Sequence, residues 1–391
     1  MNMNIHIFNK IHLRLKHIIF LIIKLMISFF FMFSLSSYSY VHAAVNCTPS
    51  ATALNQVISL NGGSIFIGPD IPVGTIIFRG ESNAIASGPG NVSITCDGAF
   101  TLPLNVALDS TPMPLVSSGL YSGYVYETGL AGVGVIITSS GALSTGLIPH
   151  TEYTFNNTAA GNASMGQLAY KIFLIKTGTI SPGQVNAANF PTASYSIPAT
   201  SGYSGLPLKL SSARFSGVLN IVTSTCNVQD VDVDLGSHEI SKDFNGVNST
   251  TTWVDSSIIL TNCPLFQGFY GSSNRTQSIT GSGILPAGIA NNNTLSVSIT
   301  PSSTIINATN GIMSVLSGSS NSALGVGIQL GWGDSTGSPT PINFGVARSI
   351  TLPTDGRSTI TIPLSARYIQ TDSVITPGRA DGKATFIINY Y

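Results

Sequence analysis

Gly378-Arg-Ala-Asp-Gly-Lys-Ala-Thr-Phe-Ile-Ile-Asn-Tyr-Tyr391 closes the chain. From Ala384 its side chains alternate: Ala384, Phe386, Ile388 and Tyr390 fall on one face, and Thr385, Ile387, Asn389 and Tyr391 on the other. A period of two is that of a β-strand, and Phe, Ile and Tyr suit a pleated, half-buried surface. An apolar strand left at a sheet edge invites another chain to pair with it. The expectation is therefore a sheet edge completed from outside; the alternative is the terminal strand of a complete domain.

The same residues carry a resemblance. A penultimate tyrosine (Tyr390), apolar residues alternating before it (Phe386, Ile388) and a glycine fourteen residues from the end (Gly378) resemble the ending of chaperone–usher pilus subunits. The resemblance implies a sandwich that lacks its final strand. A periplasmic pilus chaperone, and then the adjacent pilus subunit, would supply that strand by strand addition, with an outer-membrane usher assembling the fibre. Gly378, Phe386, Ile388, Tyr390 and Tyr391 are the residues expected to meet those partners.

The chain has 391 residues, enough for two or three domains, and only 8% of them are charged. The formal net charge is zero, but four of the sixteen basic residues (Lys10, Arg14, Lys16 and Lys24) precede the first acidic one, Asp70. Residues 1–43 read as an export signal: a basic segment, the apolar stretch Leu25-Met-Ile-Ser-Phe-Phe-Phe-Met-Phe-Ser-Leu35, then Val41-His-Ala43 suited to cleavage. Lys24 interrupts the apolar run, and an uncleaved anchor is the competing reading. Removing the leader leaves twelve basic against sixteen acidic side chains, which excludes a basic surface for nucleic acid.

All four cysteines, Cys47, Cys96, Cys226 and Cys263, follow the leader. An even count in an exported chain points to disulfides rather than metal or catalysis. Spacing does not fix the connectivity; Cys47–Cys96 with Cys226–Cys263 is the simplest choice. Neither pair has the Cys-x-x-Cys spacing of a zinc or redox site.

Beyond the leader the chain reads as short strands between Gly, Pro, Asn and Ser breaks, with no amphipathic helix of three turns. Strands are expected at Ser64–Ile67, Thr75–Arg79, Val92–Thr95, Gly123–Tyr126, Gly132–Thr138, Leu168–Lys176 and Ala193–Ile197 in the front half. In the rear half they are expected at Val228–Leu235, Ser257–Leu260, Thr294–Thr300, Gly325–Leu330, Ser358–Leu364 and Ala384–Tyr390. The fold class is all-β: two immunoglobulin-like β-sandwich domains in tandem, over 44–222 and 223–391, the second an incomplete pilin fold lacking its last strand.

Three front-half segments resemble receptor-binding domains at the tips of chaperone–usher pili: Asp70-Ile-Pro-Val-Gly-Thr-Ile-Ile-Phe-Arg79, Glu127-Thr-Gly-Leu-Ala-Gly-Val-Gly-Val135 and Tyr170-Lys-Ile-Phe-Leu-Ile-Lys-Thr-Gly178. Gly129 departs from the asparagine usual in the second. In the rear half, Cys226-Asn-Val-Gln-Asp-Val-Asp-Val-Asp-Leu-Gly236, Ser257-Ile-Ile-Leu-Thr-Asn-Cys263, Gly325-Val-Gly-Ile-Gln-Leu330 and Ile362-Pro-Leu-Ser-Ala-Arg-Tyr-Ile-Gln370 resemble a pilin domain in its order. Val228, Val231, Val233 and Leu235 are core candidates there. Asp230, Asp232 and Asp234 read as solvated charges that discourage edge pairing rather than as a calcium site. About 180 residues stand ahead of Cys226, where a shaft subunit has a short donor arm, so the resemblance implies a fibre tip.

Chemistry has little to work with. His6, His12, His17 and His42 lie in the leader, leaving His150 and His238, one in each half. No nucleophile–base pair, metal set, phosphate loop or cofactor motif stands out, and the chain is read as not an enzyme. A sugar site needs aromatic faces and fixed hydrogen-bonding groups on loops. The front half offers Tyr124, Tyr126 and Glu127, then His150, Glu152 and Tyr153, with Tyr121, Asn156 and Asn157 beside them. Tyr124 and Tyr126 share a strand face on this reading, which puts at least one in the core. The expected role is a fimbrial tip adhesin holding a host glycan or matrix protein. A minor structural pilus subunit and a secreted glycan-processing enzyme are the alternatives.

Overall fold

The computed structural model describes residues 16–29, 44–50, 52–83, 92–139, 143, 145–165, 168–271, 277–279, 290–317 and 321–391. Residues 16–29 form an exposed helix. No described helix is long and apolar enough to cross a membrane. The expected cleavage stretch Val41–Ala43 lies outside the described residues.

Period-two sequence becomes sheet throughout. In Phe100–Ser110 the buried positions are Phe100, Leu102, Leu104 and Val106, one face of a strand turned to the core. This strand lies between Thr192–Ile197 and His150–Asn157. Next in that sheet comes Leu208–Val222, which also pairs in parallel with Leu54–Phe66. A second front sheet sets Ala169–Lys176 between Ile76–Asn83 and Val133–Thr138, with Tyr126–Glu127 beyond. Every residue of Ala169–Lys176 is buried because both faces are covered. Tyr170, Ile172 and Leu174 enter the main front core, while Phe173 and Ile175 enter a smaller cluster with Val125 and Ile136. Val45–Pro49 and Val92–Cys96 pair so that Cys47 faces Cys96, and the two are bonded.

In the rear half, Thr294–Pro301 lies between Arg348–Thr351 and Ala384–Tyr390. Val326–Trp332 pairs with Leu364–Gln370 and Ile312–Ser314, and Ile258–Thr261 with Asn227–Val228 and Ile360–Ile362. Cys226 is bonded to Cys263.

Three expected strands differ. Ser358–Leu364 is not one strand: Ile360–Ile362 and Leu364–Gln370 pair in different sheets. Pro363 separates them, a residue without an N–H and therefore suited to a switch between sheets. Gly123–Tyr126 is a turn, a 3-10 segment at Leu120–Gly123 with Tyr121 at φ 50° and Gly123 at φ 82°, and only Tyr126–Glu127 pairs. Tyr124 thus closes a turn and does not share a strand face with Tyr126. Of Val228–Leu235, only Val228 lies in a paired strand, and its side chain is 44% exposed rather than core. Val231, Val233 and Leu235 are half-buried and Asp230, Asp232 and Asp234 exposed, as the alternation predicts. The pattern of a strand is present, but no described neighbour lies alongside to bond it.

The two halves touch through named residues. Phe66, from the front half, is buried in the rear core, 4.8 Å edge-on from Phe266. Fully buried Asn293 donates from Nδ2 to the Phe66 carbonyl at 3.1 Å and accepts from the Gly268 N–H at 2.8 Å. Gln277–Ile279 adds to the front sheet, parallel to Gly80–Ser82.

Candidate functional site

The C-terminal strand, Ala384–Tyr390, has one described neighbour, Thr294–Pro301. Thr294 and Tyr391 exchange N–H to C=O bonds of 2.9 and 2.7 Å, and Ser302 N–H donates to the Lys383 carbonyl at 2.8 Å. In an antiparallel pair, residues bonded in this way alternate with residues whose N–H and C=O point to the other side. Lys383, Thr385, Ile387, Asn389 and Tyr391 therefore face the inner neighbour. The backbone groups of Ala384, Phe386, Ile388 and Tyr390 face the open edge.

Three of these four, Ala384, Phe386 and Ile388, are only partly buried against the rear core, as are Val231 and Leu235. A core bordered by half-covered apolar side chains, beside outward backbone donors and acceptors, fits an extended segment. Such a segment would bury apolar surface on alternate side chains and bond its backbone to the edge. Gly378 sets the approach to this strand. A Cβ there would lie 2.5 Å from the Asn321 carbonyl oxygen and 2.6 Å from the Ala323 nitrogen. The chain turns there with Arg379 N–H donating to Asn321 at 2.7 Å.

Tyr390 is 5% exposed, and its ring stacks 6.3 Å from Phe266. Burial first, and the Asp70 carboxylate less, push its phenol above the ordinary value of 10.0, while a bond to the Cys226 backbone pulls it back. Its backbone is held by the front half: Tyr390 N–H donates to Asp70 Oδ2 at 2.8 Å, and Asp70 N–H donates to the Tyr390 carbonyl at 3.3 Å. Sequence reading missed Asp70 in this role, since the partners are 320 residues apart and no local pattern joins them.

The front candidates fall into two groups. Tyr126 is half-buried against the front core, its phenol raised by burial and then by neighbouring Tyr124. Tyr124 is half-buried, and the Glu127 side chain is exposed while its N–H donates to the Pro114 carbonyl at 2.9 Å. Tyr121 is committed to the fold, its hydroxyl donating to the Gly74 carbonyl at 2.7 Å. The second group sits on a different sheet. His150 Nε2 lies 2.9 Å from Glu152 Oε2 and 3.2 Å from Ser139 Oγ, and Nδ1 lies 2.8 Å from the Leu147 carbonyl. Ser139 and Glu152 share one ring nitrogen, so the arrangement is not a relay in which base and orienting acid bind opposite nitrogens. Tyr153 is 47% exposed, its ring edge-on to Phe155 at 5.4 Å. Asn156 accepts from Thr101 Oγ1 at 3.2 Å.

With that geometry in view, comparison with known proteins is informative. Residues 214–391 match the family model described as fimbrial protein. The matched stretch takes in all of 223–391 and begins within the strand Leu208–Val222. Over 356 residues the chain is 24% identical to a fimbria adhesin protein of Klebsiella pneumoniae, covering 89% of this chain and 94% of the relative. Family match and relative together support a fimbrial adhesin. Among solved structures it is similar to the CupB6 tip adhesin of Pseudomonas aeruginosa, with 17% identity, 88% of this chain and 94% of the other covered, and a TM-score of 0.34. It is also similar to the receptor-binding domain of the MrkD1P adhesin of Klebsiella pneumoniae, with 19% identity, 47% and 99% covered, and a TM-score of 0.31. The fimbrial match spans every outward-facing residue of the C-terminal strand.

Proposed function

We propose that this chain is the tip adhesin of a chaperone–usher fimbrium. Its rear half, 223–391, accepts a strand, first from a periplasmic chaperone and then from the adjacent subunit after passage through the outer-membrane usher. Its front half, 44–222, binds a host glycan or matrix protein at the bacterial surface. The observation that carries the reading is the C-terminal strand itself: Ala384, Phe386 and Ile388 turn backbone groups outward while their side chains half-cover an apolar core. Strand addition is the binding mode that uses both features at once. Gly378, Tyr390 and Tyr391 hold that strand in place, and the two disulfides suit an oxidising route to the surface.

For the front half, two separate groups on different sheets are placed to meet a ligand: exposed Glu127 with Tyr124 and Tyr126, and exposed Tyr153 with His150 and Glu152. Adhesion is favoured over catalysis because the Ser139–His150–Glu152 contacts do not form a relay. The strand-complemented chain is applied to arrays of host glycans and immobilised matrix proteins. Retention without turnover, lost in Tyr153→Ala or Glu127→Ala, is the expected result. Turnover would replace adhesion by a glycan-processing activity, and silence on every surface would leave a structural subunit.

A further inference from the structure

If a strand is added beside Ala384–Tyr390, something must decide where it stops. Four residues face the open edge, Ala384, Phe386, Ile388 and Tyr390, and the last is already engaged. Its N–H donates to Asp70 Oδ2 at 2.8 Å and its carbonyl accepts from Asp70 N–H at 3.3 Å. Those are the two bonds that the next residue of an added strand would make. We propose that Asp70 is the stop of the acceptor edge: an incoming strand pairs with Ala384, Phe386 and Ile388 and ends before Tyr390. The inference rests on the strand-acceptor reading above and adds a length and register rule to it.

Asp70 is not free to swing aside. Two residues earlier, Gly68 lies so close that a Cβ on it would stand 2.0 Å from the Tyr390 carbonyl oxygen. Between them, the Pro69 carbonyl accepts from Lys176 Nζ at 2.6 Å, and Lys176 is only 4% exposed. Ile71 N–H turns back to the Gly68 carbonyl at 3.3 Å. The turn thus offers one backbone donor and one carboxylate acceptor in fixed positions, backed by a buried cation. A partner segment of alternating apolar residues fits along Ala384–Ile388, and a longer one must displace Asp70 or leave its end unpaired. Asp70 acts here as a positioning residue for the partner strand.

The test uses the oxidised chain 44–391 and a ladder of alternating Ile/Thr peptides lengthened two residues at a time, at either end. Affinity is read by competition against a short labelled peptide present from refolding. In the natural chain, lengthening past Ile388 at the Tyr390 end should change affinity by less than about twofold. In Asp70→Ala, which frees the Tyr390 N–H while the backbone N–H at position 70 stays on the Tyr390 carbonyl, the same extension should tighten binding by about three- to tenfold, the worth of one added backbone hydrogen bond. Asp70→Asn keeps an acceptor and the N–H and should behave as the natural chain. A second readout needs no variant: Tyr390's amide should be protected from exchange with the short peptide and unchanged by the long one. An equal gain for the natural chain and Asp70→Ala, or a Tyr390 amide protected only by the long peptide, overturns the stop and leaves strand acceptance standing. If no peptide of any length binds, strand acceptance itself falls, and the stop with it.

Discussion

Gly68 packs its α-carbon against the Tyr390 carbonyl, leaving no room for a methyl group. Gly68→Ala should therefore push the end of the C-terminal strand away, costing about 1–3 kcal/mol, read as a lower Tm of the strand-complemented chain. Tyr390 gives a second test at the same place. Its phenol is raised above 10.0 by burial, so the folded state holds the proton more tightly than the unfolded one. That contribution is complete below about pH 10 and lost as pH rises through the higher folded value. Tyr390→Phe should lower stability by about 0.5–1.5 kcal/mol at neutral pH, through the lost bond to the Cys226 backbone. It should also lose less stability than the natural chain in alkaline titration. Denaturant melts from pH 8 to 11 measure both; an unchanged alkaline slope would contradict the buried-proton argument. Single residues were unevenly legible. The period of two put Phe386 and Ile388 on the face that borders the core. Nothing near Asp70 announced a partner 320 residues away.

At the scale of the strand, outward and inward backbone groups alternate, and exchange should follow. The amides of Thr385, Ile387 and Asn389, bonded to the inner neighbour, should be protected by at least about tenfold over those of Phe386 and Ile388. Adding a strand peptide should close that gap. Uniform protection beforehand would mean that the edge is already covered. The rear disulfide is the other brace at this scale. Cys226 and Cys263 are 37 residues apart, and in the chain-entropy account their bond is worth about 4 kcal/mol, so Cys226→Ser with Cys263→Ser should lower stability by about that much. Alternation revealed the faces of Val231–Leu235 but not whether anything lies beside them, because pairing is a property of the neighbour. In Ser358–Leu364 it suggested one strand where Pro363 makes two. Gly123–Tyr126 read as a strand, but Gly123 ends the 3-10 segment Leu120–Gly123 at a left-handed φ of 82°, and pairing begins only at Tyr126. The front candidates were chosen by residue type alone, and folding put Tyr126 and His150 on different sheets.

Across the whole molecule, the rear core is built partly from the front half. Phe66 lies edge-on to Phe266, Phe266 stacks on Tyr390, and Asn293 ties Phe66 to the rear chain. Composition and strand spacing made an all-β chain legible from the start. The junction was not, because its contacts join residues two hundred or more positions apart, Phe66 with Phe266 and with Asn293, and depend on the folded course of both halves. A strand added at the C-terminal edge should thus stabilise the chain as a unit. The direct measurement is thermal unfolding of residues 44–391, refolded oxidised with and without an alternating Ile/Thr peptide spanning Ala384–Ile388. The account predicts a soluble monomer with a cooperative transition when the peptide is present, and aggregation or a broad, much lower transition when it is absent. A cooperative monomer with the same Tm in both samples would contradict it.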